Sequence, residues 1–172
     1  DRDRTEFLPE DPIAFIDDQL AALDSVDIRP GMNVRSTTLE PIRTAASVCA
    51  EHGAIVEINA HCRQAEMCAV GAGESLLSDN DRLCGQVATA ARTDATVSVK
   101  LRTEVPGVDL PVLSARLADA GADLLHVDAM DSESIVEDVV SAAPEVTTIA
   151  NNGVRDRETA VEYLCYGADA IS

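Results

Sequence analysis

The chain has a single lysine. Of its thirteen basic residues all but Lys100 are arginines, and thirty-one acidic residues bring the net charge to −18. So little positive charge argues against non-specific nucleic-acid binding by this segment, because phosphate contacts need Lys or Arg. The balance suits a halophilic protein, in which dense carboxylates hold water and arginine replaces lysine; an ordinary acidic protein is the alternative. Molar salt would weaken the first argument, since it shortens the screening length to about 3 Å. The chain also lacks a CxxC pair. Its five cysteines are odd in number and come with no secretion signal, which argues against a disulfide framework. Cys49, Cys84 and Cys165 fall in helical patterns and are expected in the core. No apolar run is long enough to span a bilayer, and "DRDRTEFLPEDP" is too charged for a signal peptide. A cytoplasmic protein with no membrane partner is expected.

What is present is a repeat. "HGAIVEIN", "AGADLLHVDA" and "YGADAIS" each place a glycine after an apolar-periodic helix and open a short apolar strand within a few residues. Further strands read at residues 28–34, 96–101 and 145–150. Between them lie amphipathic helices such as "DLPVLSARLADA", with Leu110, Leu113 and Leu117 on one face. Alternating strand and helix calls for a parallel sheet with helices outside it. An open doubly wound sheet would carry a glycine-rich turn after its first strand, and "VRSTTLEP" is not one. A (β/α)8 TIM barrel instead gathers polar residues at strand ends. Asn33, Arg35, Asn59, Lys100, Arg102, His126, Asp128, Asn151 and Asn152 all lie at or just beyond such ends. A whole barrel needs about 250 residues. Residues 1–172 therefore read as a single, incomplete α/β TIM-barrel domain of about six βα units, with units lacking at both ends. Its unpaired sheet edges invite association, with no oligomeric state assigned.

Among the strand-end residues, Lys100 stands where an ammonium aimed into a barrel mouth would stabilise negative charge on a cofactor or intermediate, the alternative being a lysine that reaches solvent. His126 is a second candidate, with a structural histidine as its alternative. "ANNGVRD" supplies a turn of Asn151, Asn152 and Gly153 before a helix capped by Asp156, suited to a phosphate or simply to a left-handed turn. In "EINAHCRQAEMCAVGAGESLL" the grouping of His61, Cys62 and Cys68 lacks the second ligand pair of a zinc site, and no metal is expected. Cys62, three residues beyond Asn59, would be an active-site acid, because an unperturbed thiol, with a pKa of about 8.5, can deliver a proton at neutral pH while a reduced partner supplies the hydride. Gly71 and Gly73 would let that loop fold over a ligand.

In order, "VEINAHC", "GAGESLL", "VSVKLR", "LLHVDA", "IANNGV" and "GADAIS" resemble the tRNA dihydrouridine synthases, in particular their archaeal nitrogen-regulator-like relatives. The likeness covers about residues 28–172 and would make the chain the third to eighth strands of an FMN barrel. It implies a flavin-dependent oxidoreductase that reduces the C5–C6 bond of uridine with FMN, NADPH or NADH being the electron donor. Cys62 matches the catalytic cysteine. Lys100, His126, Asn151, Asn152 and Gly153 match flavin-binding positions, with Asn33 in place of a glutamine, while Asn59 and Arg102 match substrate-binding ones. The partner implied is tRNA, through a region not in this chain, or a small pyrimidine. Two departures stand out: Gly-Cys-Pro is His61-Cys62-Arg63 here, and His-x-Arg is His126-Val127-Asp128. The alternatives are a dihydroorotate or dihydropyrimidine dehydrogenase-like flavoenzyme, and a non-redox phosphate-binding barrel.

Overall fold

A computed structural model describes residues 9–172. Helix α1 (Pro12–Ala21) precedes six strands: β1 (Gly31–Val34), β2 (Ile55–Asn59), β3 (Thr96–Arg102), β4 (Leu124–Asp128), β5 (Thr147–Asn151) and β6 (Ala170–Ile171). Between them run α2 (Leu39–Glu51), α3 (Ala65–Ala69), a 3₁₀ segment (Gly73–Ser78), α4 (Asn80–Ala90), α5 (Leu110–Asp119), α6 (Ile135–Ala142) and α7 (Arg157–Cys165). The strands form one parallel sheet in sequence order β1 to β6, the arrangement of a partial TIM barrel. The first strand is shorter than expected, starting at Gly31 rather than residue 28, because Val26 and Ile28 close turn hydrogen bonds back along the chain.

Local chemistry explains the boundaries. Asp11, Asp109 and Asp156 each accept a backbone N–H as helix caps, the first two with proline in the opening turn. Gly53, Gly121 and Gly167 end their helices at φ of +62°, +101° and +95°, left-handed values that cost an L-residue energy. The repeated Gly-Ala-Asp that follows has a physical role as well. Asp123 N–H donates to the Val97 carbonyl while the Asp123 carboxylate accepts the Val97 N–H at 2.8 Å; Asp169 does the same with Thr148. Each aspartate thus clasps the N-terminal end of the preceding strand, the face where barrels keep stability rather than chemistry.

Side chains alternate across the sheet. Val56, Ile58, Val97, Val99, Leu101, Leu125, Val127 and Ala150 face the helices and are buried, joined by Ile42, Leu83, Leu113, Leu117, Val136, Val139 and Tyr163 in one core. Cys49 lies in that core, and burial pushes its thiol up to about 11. Cys84 is only half-buried and Cys165 is exposed, against expectation, because the last turn of α7 turns Leu164 and Cys165 outward and only Tyr163 inward. No helix among the described residues is long and apolar enough to cross a membrane.

Candidate active site

The other face of the strands is polar. Register places Asn33 beside Glu57 and Glu57 beside Ser98; one step further on, Asn59, Lys100 and His126 align; beyond them Arg102, Asp128 and Asn151 align. Of the residues singled out by strand-end position, all but Arg35 are therefore brought together in two tiers around two carboxylates; Arg35, beyond the end of β1, lines a separate cavity with Pro12, Ile13 and Met32.

The inner tier centres on Glu57. Its carboxylate accepts from Asn33 Nδ2 at 2.7 Å, Ser98 Oγ at 3.0 Å and His126 Nδ1 at 2.8 Å. Burial pushes this carboxyl up, but the three donors, His126 foremost, outweigh it and hold the group below the ordinary carboxylate range. An ionised carboxylate only accepts, so His126 Nδ1 carries a proton toward it and Nε2 is the nitrogen that faces the rest of the cluster. That nitrogen lies 3.4 Å from Lys100 Nζ and 3.3 Å from Ser172 Oγ, and Asn151 Nδ2 donates to the same hydroxyl at 2.9 Å.

The outer tier centres on Asp128, whose side chain is 10% exposed and accepts from His61 Nε2 at 2.5 Å. Met130 N–H and Asn152 Nδ2 reach its other oxygen at 3.3 and 3.2 Å. Here too burial is outweighed, chiefly by the His61 hydrogen bond, and the carboxyl is held low. Arg102 sits directly across from Asp128 yet turns away, its Nε pairing with Glu74 at 3.1 Å.

Asn59, 4% exposed, joins the tiers to the loop that follows β2. It donates to Asn33 at 2.8 Å and accepts the N–H groups of His61 and Cys62 at 3.1 and 2.9 Å. The Cys62 carbonyl in turn accepts Glu74 N–H at 2.9 Å and Cys68 Sγ at 3.5 Å. Gly73, at φ +63°, packs so closely on the Cys62 carbonyl that no side chain fits there. The Asn151-Asn152-Gly153 turn is internally satisfied in part: Gly153 N–H donates to Asn152 Oδ1 at 3.0 Å, and the Arg155 and Asp156 N–H groups donate to Thr159 Oγ1. Among the described residues no three His, Cys, Asp or Glu side chains are arranged to hold a metal ion.

Sequence reasoning missed Glu57, placed Asp128 at a strand end without giving it a role, and considered His61 for zinc and as a departure from the Gly-Cys-Pro pattern but not as a partner of Asp128. The signal was there in principle: Glu57 lies two residues before Asn59 in a strand and so shares its face.

No family model matches the chain. It is 24% identical, over 92% of its length, to an uncharacterised protein of Methanocaldococcus jannaschii, of which it spans 64%. Solved structures with the same fold include a lyase/mutase candidate from Burkholderia cenocepacia (TM-score 0.69, 16% identity, 93% of this chain and 60% of that one) and a phosphonomutase candidate from the same organism (0.66, 19%, 94% and 68%). A third is 2,3-dimethylmalate lyase, a member of the PEP mutase/isocitrate lyase superfamily (0.66, 13%, 92% and 59%).

These neighbours overturn the dihydrouridine synthase reading, and with it the flavin-dependent oxidoreductase and the FMN, NADPH and NADH that it implied and for which Asn33, Lys100, His126, Asn151, Asn152 and Gly153 had been matched. The geometry gives the reason the motifs misled. Gly-Ala-Asp is a strand clasp, Asn59 caps a loop, and Gly73 makes room for a carbonyl. All three serve a barrel scaffold whatever its chemistry. His126, expected to face a flavin, is instead hydrogen-bonded to Glu57, and Asp128, two residues further along β4, adds a second carboxylate.

Proposed function

We propose that the strand-end cluster is a non-redox acid–base site that binds a small carboxylate or phosphonate and breaks or shifts a bond beside it, the class of chemistry named for the lyase and mutase neighbours. The observation that carries this reading is the pair of imidazole–carboxylate couples, His126 with Glu57 and His61 with Asp128, the first of them against the chain's one lysine. A carboxylate that fixes the tautomer of an imidazole is the arrangement general-base catalysis needs.

For a 2-hydroxydicarboxylate the steps balance. His126 Nε2 takes the hydroxyl proton while the Lys100 ammonium, 3.4 Å away, offsets the charge left on oxygen. That oxygen becomes a keto group as the neighbouring C–C bond breaks, and the electron pair passes to the carbon next to the second carboxylate. His61, when doubly protonated, returns a proton to that carbon. The products are a 2-keto acid and a monocarboxylate. Arg102, steadied at Nε by Glu74, offers its two terminal amino groups as a fork for a substrate carboxylate. Cys62, whose backbone N–H is held by Asn59, borders the same mouth and would contact the substrate rather than supply a hydride's companion proton.

The test is proton NMR of the purified protein with methyl-substituted malates and short phosphonocarboxylates. Turnover of at least one, falling by about 10²–10⁴ in His126→Ala and Glu57→Gln, is expected. No turnover together with unmoved His126 resonances on adding each compound would overturn the proposal.

A further inference from the structure

We infer that Asn152 is a positioning residue for the outer couple: a strained backbone, held from behind by Tyr163, aims its side-chain amide at Asp128 so that Asp128 fixes the orientation of His61. The inference rests on the acid–base reading of the site but is tested separately from it.

Asn152 adopts φ = +69°, a left-handed conformation that is unfavourable for a residue other than glycine. Something must over-determine it. Tyr163, 1% exposed on α7, donates its hydroxyl to the Asn152 carbonyl at 2.8 Å. Burial, reinforced by the nearby Glu133 and Asp128 charges, pushes that phenol up to about 12, so it remains a donor at every physiological pH. On the side-chain end, Gly153 N–H donates to Asn152 Oδ1 at 3.0 Å, which settles which amide atom is oxygen and leaves Nδ2 facing Asp128 Oδ1 at 3.2 Å. The left-handed turn is what lets one residue use its carbonyl toward the core and its amide toward the site.

Asp128 then has a defined partner on every side: His61 from the β2–α3 loop, Met130 N–H from its own loop, and Asn152 from the end of β5. The remaining charges near it are Arg102 on β3, which is engaged by Glu74, and Glu133 behind Tyr163. With Oδ1 occupied by two donors, Oδ2 is the oxygen left for His61 Nε2–H, and His61 Nδ1 is thereby turned to the substrate side. Asn152 touches no reacting atom in this scheme; it acts through Asp128.

Two substitutions tolerate a left-handed backbone and act oppositely on His61. Asn152→Gly removes the amide while relieving strain, and Asn152→Asp places a second carboxylate against Asp128. Nitrogen-15 NMR of the histidine side chains in the whole protein should show the His61 titration midpoint falling in the glycine variant, as Asp128 loosens, and rising in the aspartate variant, with the melting temperature of the glycine variant unchanged or higher. If a substrate has been found, kcat should fall about tenfold in Asn152→Gly while KM holds. Midpoints that stay at the wild-type value in both variants, or move together, overturn the inference. Opposite movements without turnover of any test compound would leave Asn152's role standing and count against the proposed function instead.

Discussion

The two faces of one sheet are built from alternate residues of the same strands, and they could hardly differ more. On β4, Leu125 and Val127 are fully buried against the helices, while Leu124, His126 and Asp128 point the other way and carry the site. The helix-facing side repeats one solution, branched aliphatic against aliphatic, through β2, β3 and β4. The opposite side repeats nothing: Asn33 and His126 converge on Glu57, and His61 reaches Asp128 from a loop. Stability is thus spread over many interchangeable contacts, whereas chemistry depends on a few specific ones.

The comparison breaks most sharply at adjacent leucines. Leu125→Ala should destabilise by about 2–5 kcal/mol, through lost transfer energy and the cavity left behind. Leu124→Ala, one residue earlier and only partly buried, should cost less than half as much. Urea unfolding of the two variants measures this directly; equal losses would mean that the polar face is packed as tightly as the other.

Acid should separate the faces next. Glu57 and Asp128 are held below the ordinary values of about 4.3 and 3.9 for their residue types. Since their folded values are the lower ones, the unfolded chain binds more protons across that window, and folding stability rises with pH through it. The contribution is complete above about pH 4.3 and is lost as pH falls through the folded values. Glu57→Gln and Asp128→Asn should each flatten the slope of unfolding free energy between about pH 3 and 5, while Leu125→Ala should shift the whole curve down without changing that slope.

The helix-facing side was legible in the sequence because hydrophobic periodicity is a local signal: strand 96–101 and the helix with Leu110, Leu113 and Leu117 read directly and stand within a residue or two of where they fold. The gathering of Lys100, Arg102, His126 and Asp128 was legible for the same reason, since position at a strand end follows from where the strand stops. Their partners were not. Glu57 meets His126 across an intervening strand, and His61 meets Asp128 from a loop; nothing within either stretch names the other. Motif order filled that gap with a flavin, and it misled because the most recognisable residues, Gly121, Asp123, Asn59 and Gly73, hold the scaffold rather than the substrate.

The smallest expected effect isolates a single hydroxyl on each face. Ser98 and Thr148 are both buried, at 2% and 0% exposure, and both lie in the middle of the sheet. Ser98 Oγ points to the polar side and donates to Glu57 at 3.0 Å; Thr148 Oγ1 has no partner among the described residues. Removing a hydrogen bond to a buried charge strands part of its requirement, whereas removing an orphaned hydroxyl relieves a desolvation cost. Ser98→Ala should therefore cost about 1 kcal/mol at neutral pH, and less in acid, where Glu57 is protonated in both states. Thr148→Val should be neutral or stabilising at every pH, because its methyl replaces a hydroxyl that bonds to nothing. Calorimetry at pH 7 and in acid distinguishes the cases, and a Thr148→Val loss as large as that of Ser98→Ala would show that the helix-facing side, too, relies on a specific polar contact.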